Sequence, residues 1–218
     1  MLPKVFFYVF LAVDALFILT VISVWIRRKP AGLKRVLFTS YCLLILGLTS
    51  YLIYNSFSGK FVHYHADYRV FACGEEIELV DPQGLSNKVG SSLLHEQNDG
   101  RIHIEGVIRD QQQITLKEFF KVTGGELTDQ NLIVVTNDPP GQVKTYEKCN
   151  GKEGRLQVFV YKMIDGIFSQ TKISNPTQYI PSPFSEVPPG DCIIVEFADL
   201  KDKTDKICES YRVYQEKD

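Results

Sequence analysis

Familiar catalytic signatures are missing from these 218 residues. There is no G-x-S-x-G elbow, no H-E-x-x-H helix and no phosphate-binding loop, so the common routes to a serine hydrolase, a zinc protease or a nucleotide enzyme are excluded. C-x-x-C is absent as well, and the wide spacings of the cysteines support neither a zinc ribbon nor a thioredoxin-type redox pair. Positive charge is short beyond residue 60: residues 60–218 hold 18 Lys and Arg against 25 Asp and Glu, a formal charge of −7. That balance argues against nucleic acid and against docking on anionic lipid. Charge of either sign is nearly absent from two stretches near the start, since residues 5–26 contain only Asp14 and residues 36–54 contain none.

Each of those stretches is long enough to cross a bilayer, and residues 1–57 read as a transmembrane helical hairpin. The first is too long for a signal-peptide core and runs into Arg27-Arg28-Lys29-Pro30, not into a small-residue cleavage site, so its retention is expected. Residues 27–35 carry five positive charges against Lys4 before and Lys60 after, which places the connector in the cytoplasm and both termini outside. The protein is then an integral, two-pass protein of the cell membrane, with residues 60–218 as its extracytoplasmic domain. Cys73, Cys149, Cys192 and Cys208 fit that oxidising side as two disulfides, with all three pairings open. Asp14, costing about 3 kcal/mol at mid-membrane, would come level with residues 48–51 in an antiparallel hairpin. Hydrogen bonds from Thr49, Ser50 or Tyr51 would make it packing glue, in preference to a proton relay, because two helices alone form no pathway.

Residues 55–60 form a short Ser/Gly linker, so the folded domain should begin close to the bilayer. Residues 61–73 alternate as a strand, and a turn at Gly74-Glu75 leads into a return strand over 76–79. Asn98-Asp99-Gly100 is the strongest hairpin turn; as a three-residue loop with Gly100 left-handed it sets His95 across from His103. Thr115 and Glu118 form a capping box, with Ile114 against Phe119 as a staple, and the helix they start should end at Gly124-Gly125. Strands follow at 132–136, at 156–163 with a hairpin turn at Asp165-Gly166, and at 191–197, with an edge strand over 207–214. Residues 142–153 read as a stapled polar loop, and five prolines in 174–190 as extended backbone outside any ladder. The order predicts an α+β domain with its helix on one face of a sheet, and among common architectures a β-grasp.

All four histidines fall between residues 63 and 103. His63, His65, Asp67 and Arg69 share one face of their strand, opposite Tyr64 and Tyr68. Imidazoles two residues apart on a strand stand about 7 Å apart at Cα and converge on one ion when the strand twists. The candidate metal ligands are therefore His63, His65 and His103, with His95 or Glu105 completing the set, and zinc is the expected ion. Set against this, Asp67 and Arg69 continue the same face as an ordinary solvated row. An enzyme would further require an open coordination position and a general base such as Glu96 or Glu105.

The pattern His63-x-His65-x-Asp67-Tyr68, then His95, Gly100-x-Ile102-His103 and Thr115-Leu116-x-Glu118-Phe119-Phe120 resembles a family of uncharacterised membrane-anchored exported proteins from small-genome uncultivated microbes. The resemblance covers residues 62–120 and implies no particular activity. Members often carry a second histidine two residues after the one matched by His103; here that position is Glu105, which suits zinc and disfavours copper. Two functions follow as expectations. One is a membrane-anchored extracytoplasmic protein that holds a transition metal; the other is a metal-free envelope or interaction module offering edge strands and its proline-rich segment to a partner outside the cell.

Overall fold

The computed structural model describes residues 2–26, 30–54, 61–83 and 85–216, so residues 27–29 of the charged connector and the Ser/Gly linker at 55–60 lie outside the described residues. The chain divides into two compact units, Met1–Gly59 and Lys60–Asp218. In the first, both apolar runs are helices, α1 (Leu2–Trp25) and α2 (Ala31–Tyr54), each of 24 residues. At 1.5 Å per residue, such a helix is about 36 Å long, enough for a hydrocarbon layer of about 30 Å.

The helices run antiparallel: Tyr8 meets Tyr51 edge-on at 5.5 Å, and Thr20 Oγ1 lies 2.9 Å from the Tyr41 hydroxyl. This register puts Asp14 about level with Leu46, below residues 48–51, and its side chain is exposed. The packing-glue reading of Asp14 assumed a tighter offset than the aromatic contacts set.

The second unit is α+β. Its strands are β1 (Val62–Ala72), β2 (Glu75–Ile77), β3 (Val89–Gly90), β4 (Leu94–Glu96), β5 (Arg101–Gly106), β6 (Glu126–Leu127), β7 (Leu132–Asn137), β8 (Pro140–Tyr146), β9 (Lys148–Cys149), β10 (Lys152–Glu153), β11 (Arg155–Ile164), β12 (Ile167–Lys172) and β13 (Cys192–Ala198). Helices α3 (Leu116–Val122) and α4 (Glu209–Gln215) complete it. The main sheet runs β12-β11-β13-β1-β5-β4-β3, with β2 pairing the far end of β1. Its central pair, β1 and β13, is parallel, and its other pairings are antiparallel.

Strand alternation builds the core. Val62, Tyr64, Ala66, Tyr68, Val70 and Ala72 face α3, whose Leu116, Phe119 and Phe120 are buried against them. Burying each phenylalanine contributes up to about 3 kcal/mol, and Phe119 meets the Tyr68 ring edge-on at 5.2 Å. Thr115 caps α3 by accepting the Glu118 N–H, but the Glu118 carboxylate turns to Lys121, so the reciprocal half of the expected box is not made. A complete capping box stands just upstream, where Asp110 and Gln113 close the 3-10 turn Gln111–Ile114.

Two segments depart from their expected structure. Residues 142–153 are not a loop but most of β8 and the β9–β10 pair; β8 is largely exposed on both faces, so no apolar period marks it. Residues 207–214 are not an edge strand. A disulfide ties Cys208 to Cys192 of β13, and the chain turns into α4, placing Ile207, Tyr211 and Tyr214 against Phe71, Phe159 and Ile194 on the face opposite α3. The other disulfide joins Cys73 to Cys149.

The proline-rich segment is fastened by Asp191, which is fully buried. Its carboxylate accepts the Tyr179 hydroxyl and the Ser182 N–H at 2.9 Å and pairs with Lys162 Nζ at 3.2 Å. Burial raises the Asp191 pKa above its ordinary 3.8, against the lowering pull of Tyr179 and Lys162. A carboxyl raised on folding stabilises fully below its unfolded pKa and loses that contribution as pH rises through its folded value. Urea midpoints from pH 3.5 upward should therefore fall less steeply in Asp191→Asn than in the wild type; identical slopes would show that Asp191 titrates as it does in the unfolded chain.

Candidate metal centre

Three neighbouring strands bring the histidines together. In β1 and β5, His63 pairs with Glu105 and His65 with His103, while His95 of β4 lies across from His103 on the other side. Side chains directly opposite on one face have Cβ atoms about 4.5–5.5 Å apart, so the register alone gathers five side chains. The hairpin turn that sets it holds Asn98 and Gly100 at φ of 61° and 67°. Beyond it, Gly90 pairs with His95 at φ of 123°; a Cβ there would come within 2.7 Å of the Leu94 carbonyl, so glycine lets β3 close over His95.

The His63, His65, His103 and Glu105 donor atoms all lie within 4.8 Å of one another. His63 Nε2 is 3.0 Å from His65 Nε2 and 3.0 Å from Glu105 Oε1. Ligands about 2.0–2.2 Å from a tetrahedral zinc stand about 3.3–3.6 Å apart, so this set is already close to ion-binding separation. His63 is half exposed and opens the cluster to solvent, whereas His103 forms its buried floor.

His103 carries the most telling detail. Its Nε2 lies 3.1 Å from both oxygens of Asp99, which, as an ionised carboxylate, only accepts. In the neutral ring the proton then sits on Nε2 and the lone pair on Nδ1, which is buried without a hydrogen-bond partner among the described residues. A carboxylate holding one imidazole nitrogen while the other is left bare is the usual support of a metal-ligating histidine. Burial lowers the His65 pKa, reinforced by His103 and His63 and opposed by Asp99, so its ring is neutral at pH 7. A neutral imidazole is the form that ligates.

The five expected ligands are not equivalent. His95 stacks on His103 with ring centroids 5.3 Å apart and reaches Glu105 Oε2 only at 3.8 Å, while its Nε2 meets Gln97 at 3.1 Å. It stands beside the four-residue group and buttresses it. Glu96 is ruled out as a base here, because pleating turns it with Leu94 to the opposite face of the sheet. The solvated row expected of Asp67 and Arg69 is not formed: Asp67 is buried, pairs with Arg101 at 3.2 Å and accepts the Ser210 hydroxyl, while Arg69 pairs with Glu76. The residue that sequence reading misses is Asp99, which registers only as a turn former; a carboxylate four positions before a histidine across a tight turn was the available signal.

Comparison with protein-family models, with curated proteins and with solved structures finds no match to this chain. The cluster itself is a group of side chains that can hold a metal ion, and it carries the functional argument alone.

Proposed function

We propose that this protein is a membrane-anchored, extracytoplasmic zinc-binding protein, in which His63, His65, His103 and Glu105 hold the ion and Asp99 orients His103. The observation that carries this reading is the bare, buried Nδ1 of His103 within a group of four gathered donors. The donor set, three imidazoles and a carboxylate, suits zinc, while the lack of thiolate or thioether disfavours cuprous copper. Two apolar helices support the anchor, and two disulfides support an oxidising location for Lys60–Asp218. The positive connector of residues 27–35 orients that domain outward. A β-grasp relationship is part of the same reading, favoured by the parallel central pair of β1 and β13 with α3 on one face.

The test is metal content of the full chain, purified without a polyhistidine tag in detergent, stripped with chelator and titrated with zinc against a chromophoric competitor. One zinc per chain, removed by acid as the imidazoles protonate, is expected. Sub-stoichiometric zinc that ordinary washing removes would overturn the assignment and leave the metal-free interaction module.

A further inference from the structure

On the far side of Asp99 the sheet has a gap. Along one edge of β1, pairing with β5 ends at Asp67 and pairing with β2 begins at Val70. The opening leads into a pocket of about 760 Å3, a size that suits a small organic ligand. Tyr68, Glu78, Leu79, Asp81, Glu96 and Asp99 line it.

The positive charges on its walls are already committed. Arg69 is held by Glu76 and donates to the Ile207 carbonyl, and Arg101 pairs with Asp67. Asp81 accepts from the neutral Asn137 side chain, at 2.7 Å. Glu96 is the decisive residue: it is 4 % exposed, one carboxylate oxygen accepts the Asp99 N–H at 3.1 Å, and the other is buried with no hydrogen-bond partner among the described residues. A buried carboxylate oxygen left unpaired is costly unless a donor or cation reaches it. Burial raises the pKa of Tyr68, and the charges of Glu96, Asp99, Asp81 and Glu78, which line the same pocket, raise it further.

We propose that this pocket binds an organic cation through an alkylammonium group, which would enter the gap beside β1 and pair with Glu96, while the charges of Glu78 and Asp81 on the same walls attract it. The lining favours that chemistry over a bare metal ion. Among the described residues, the group of three or more His, Cys, Asp or Glu side chains that could hold a metal ion is the His63 group, and the pocket carboxylates are not in it. Carboxylates spread round a large, partly apolar cavity suit a charge on a hydrocarbon stem, whereas calcium demands six to eight converging oxygens. The tyrosine face adds cation–π attraction for an ammonium group. The site lies on the opposite side of Asp99 from the histidine cluster and does not depend on zinc being bound there.

Two sources carry this group, a free polyamine and the lysine side chain of a peptide. Calorimetric titration of the full chain in detergent at low salt, with spermidine in one arm and a Gly-Lys-Gly peptide in the other, separates them. Binding in at least one arm is expected, weakened at least 10-fold in Glu96→Gln and again in Glu78→Gln. Glu78 is exposed, so that second variant keeps the fold while removing a charge. Binding of spermidine alone assigns the polyamine, and binding of the peptide in either case assigns a lysine side chain. No binding in either arm, equal binding by wild type and both variants, or displacement of the ligand by one equivalent of calcium would each overturn the proposal.

Discussion

Alanine at both His63 and His103 is expected to lower zinc affinity by more than about 100-fold, because losing even a residue that only supports a metal ligand costs about 10–100-fold. The double variant removes the solvent-facing donor and the buried donor at once, leaving His65 and Glu105 as a pair that no longer encloses an ion. Asp99→Ala should fall between it and the wild type, with affinity lowered about 10–100-fold, since it leaves all four donors but frees the His103 ring to turn. Linkage gives a readout independent of the titration. Zinc at 100 times the wild-type Kd should stabilise the wild type by about 2.7 kcal/mol and the double variant by no more than about 0.4 kcal/mol. Equal zinc-dependent stabilisation of all three proteins would place the ion elsewhere on the chain.

Much of this site is legible in sequence, because a strand has a period of two. Alternation over residues 62–72 separates His63 and His65 from the core-facing Tyr64 and Tyr68, and one turn, Asn98-Asp99-Gly100, fixes which residue faces His103. What alternation does not convey is which strand lies beside which. That β5 pairs β1 with His65 opposite His103, and that β13 enters parallel on the other side, are results of long-range packing. The C-terminal segment shows the same limit. Ile207, Tyr211 and Tyr214 fit a helical period, yet seven helical residues are too few to form alone, and α4 exists because Cys208 is fastened to Cys192 and Tyr211 fills the core beside it. The pocket beside Glu96 was hidden for another reason: it is bounded by strand ends and a gap between two partners of β1, features that residue patterns do not encode.

Converting Cys73 and Cys149 together to alanine is expected to destabilise the Lys60–Asp218 unit by about 4–5 kcal/mol, because the bridge closes a loop spanning 76 residues. The Cys192–Cys208 bridge, spanning 16, should contribute about 3 kcal/mol by the same chain-entropy argument. Position reinforces length: Cys73 immediately follows β1, the strand that carries His63 and His65, and Cys149 lies in β9, which the short β10 segment links into β11. With a urea dependence of about 2 kcal/mol per molar, the variant's midpoint should drop by about 2 M. Near-ultraviolet dichroism of the tyrosines is the proper probe, since the sole tryptophan, Trp25, lies in α1 and does not report on this domain. Because β1 supplies half of the proposed ligands, zinc should recover part of the lost stability in the cysteine variant and none of it once His63 and His103 are also replaced. A cysteine variant with the wild-type midpoint would mean that this bridge does not constrain the unfolded chain, and would remove the principal support for an oxidising location.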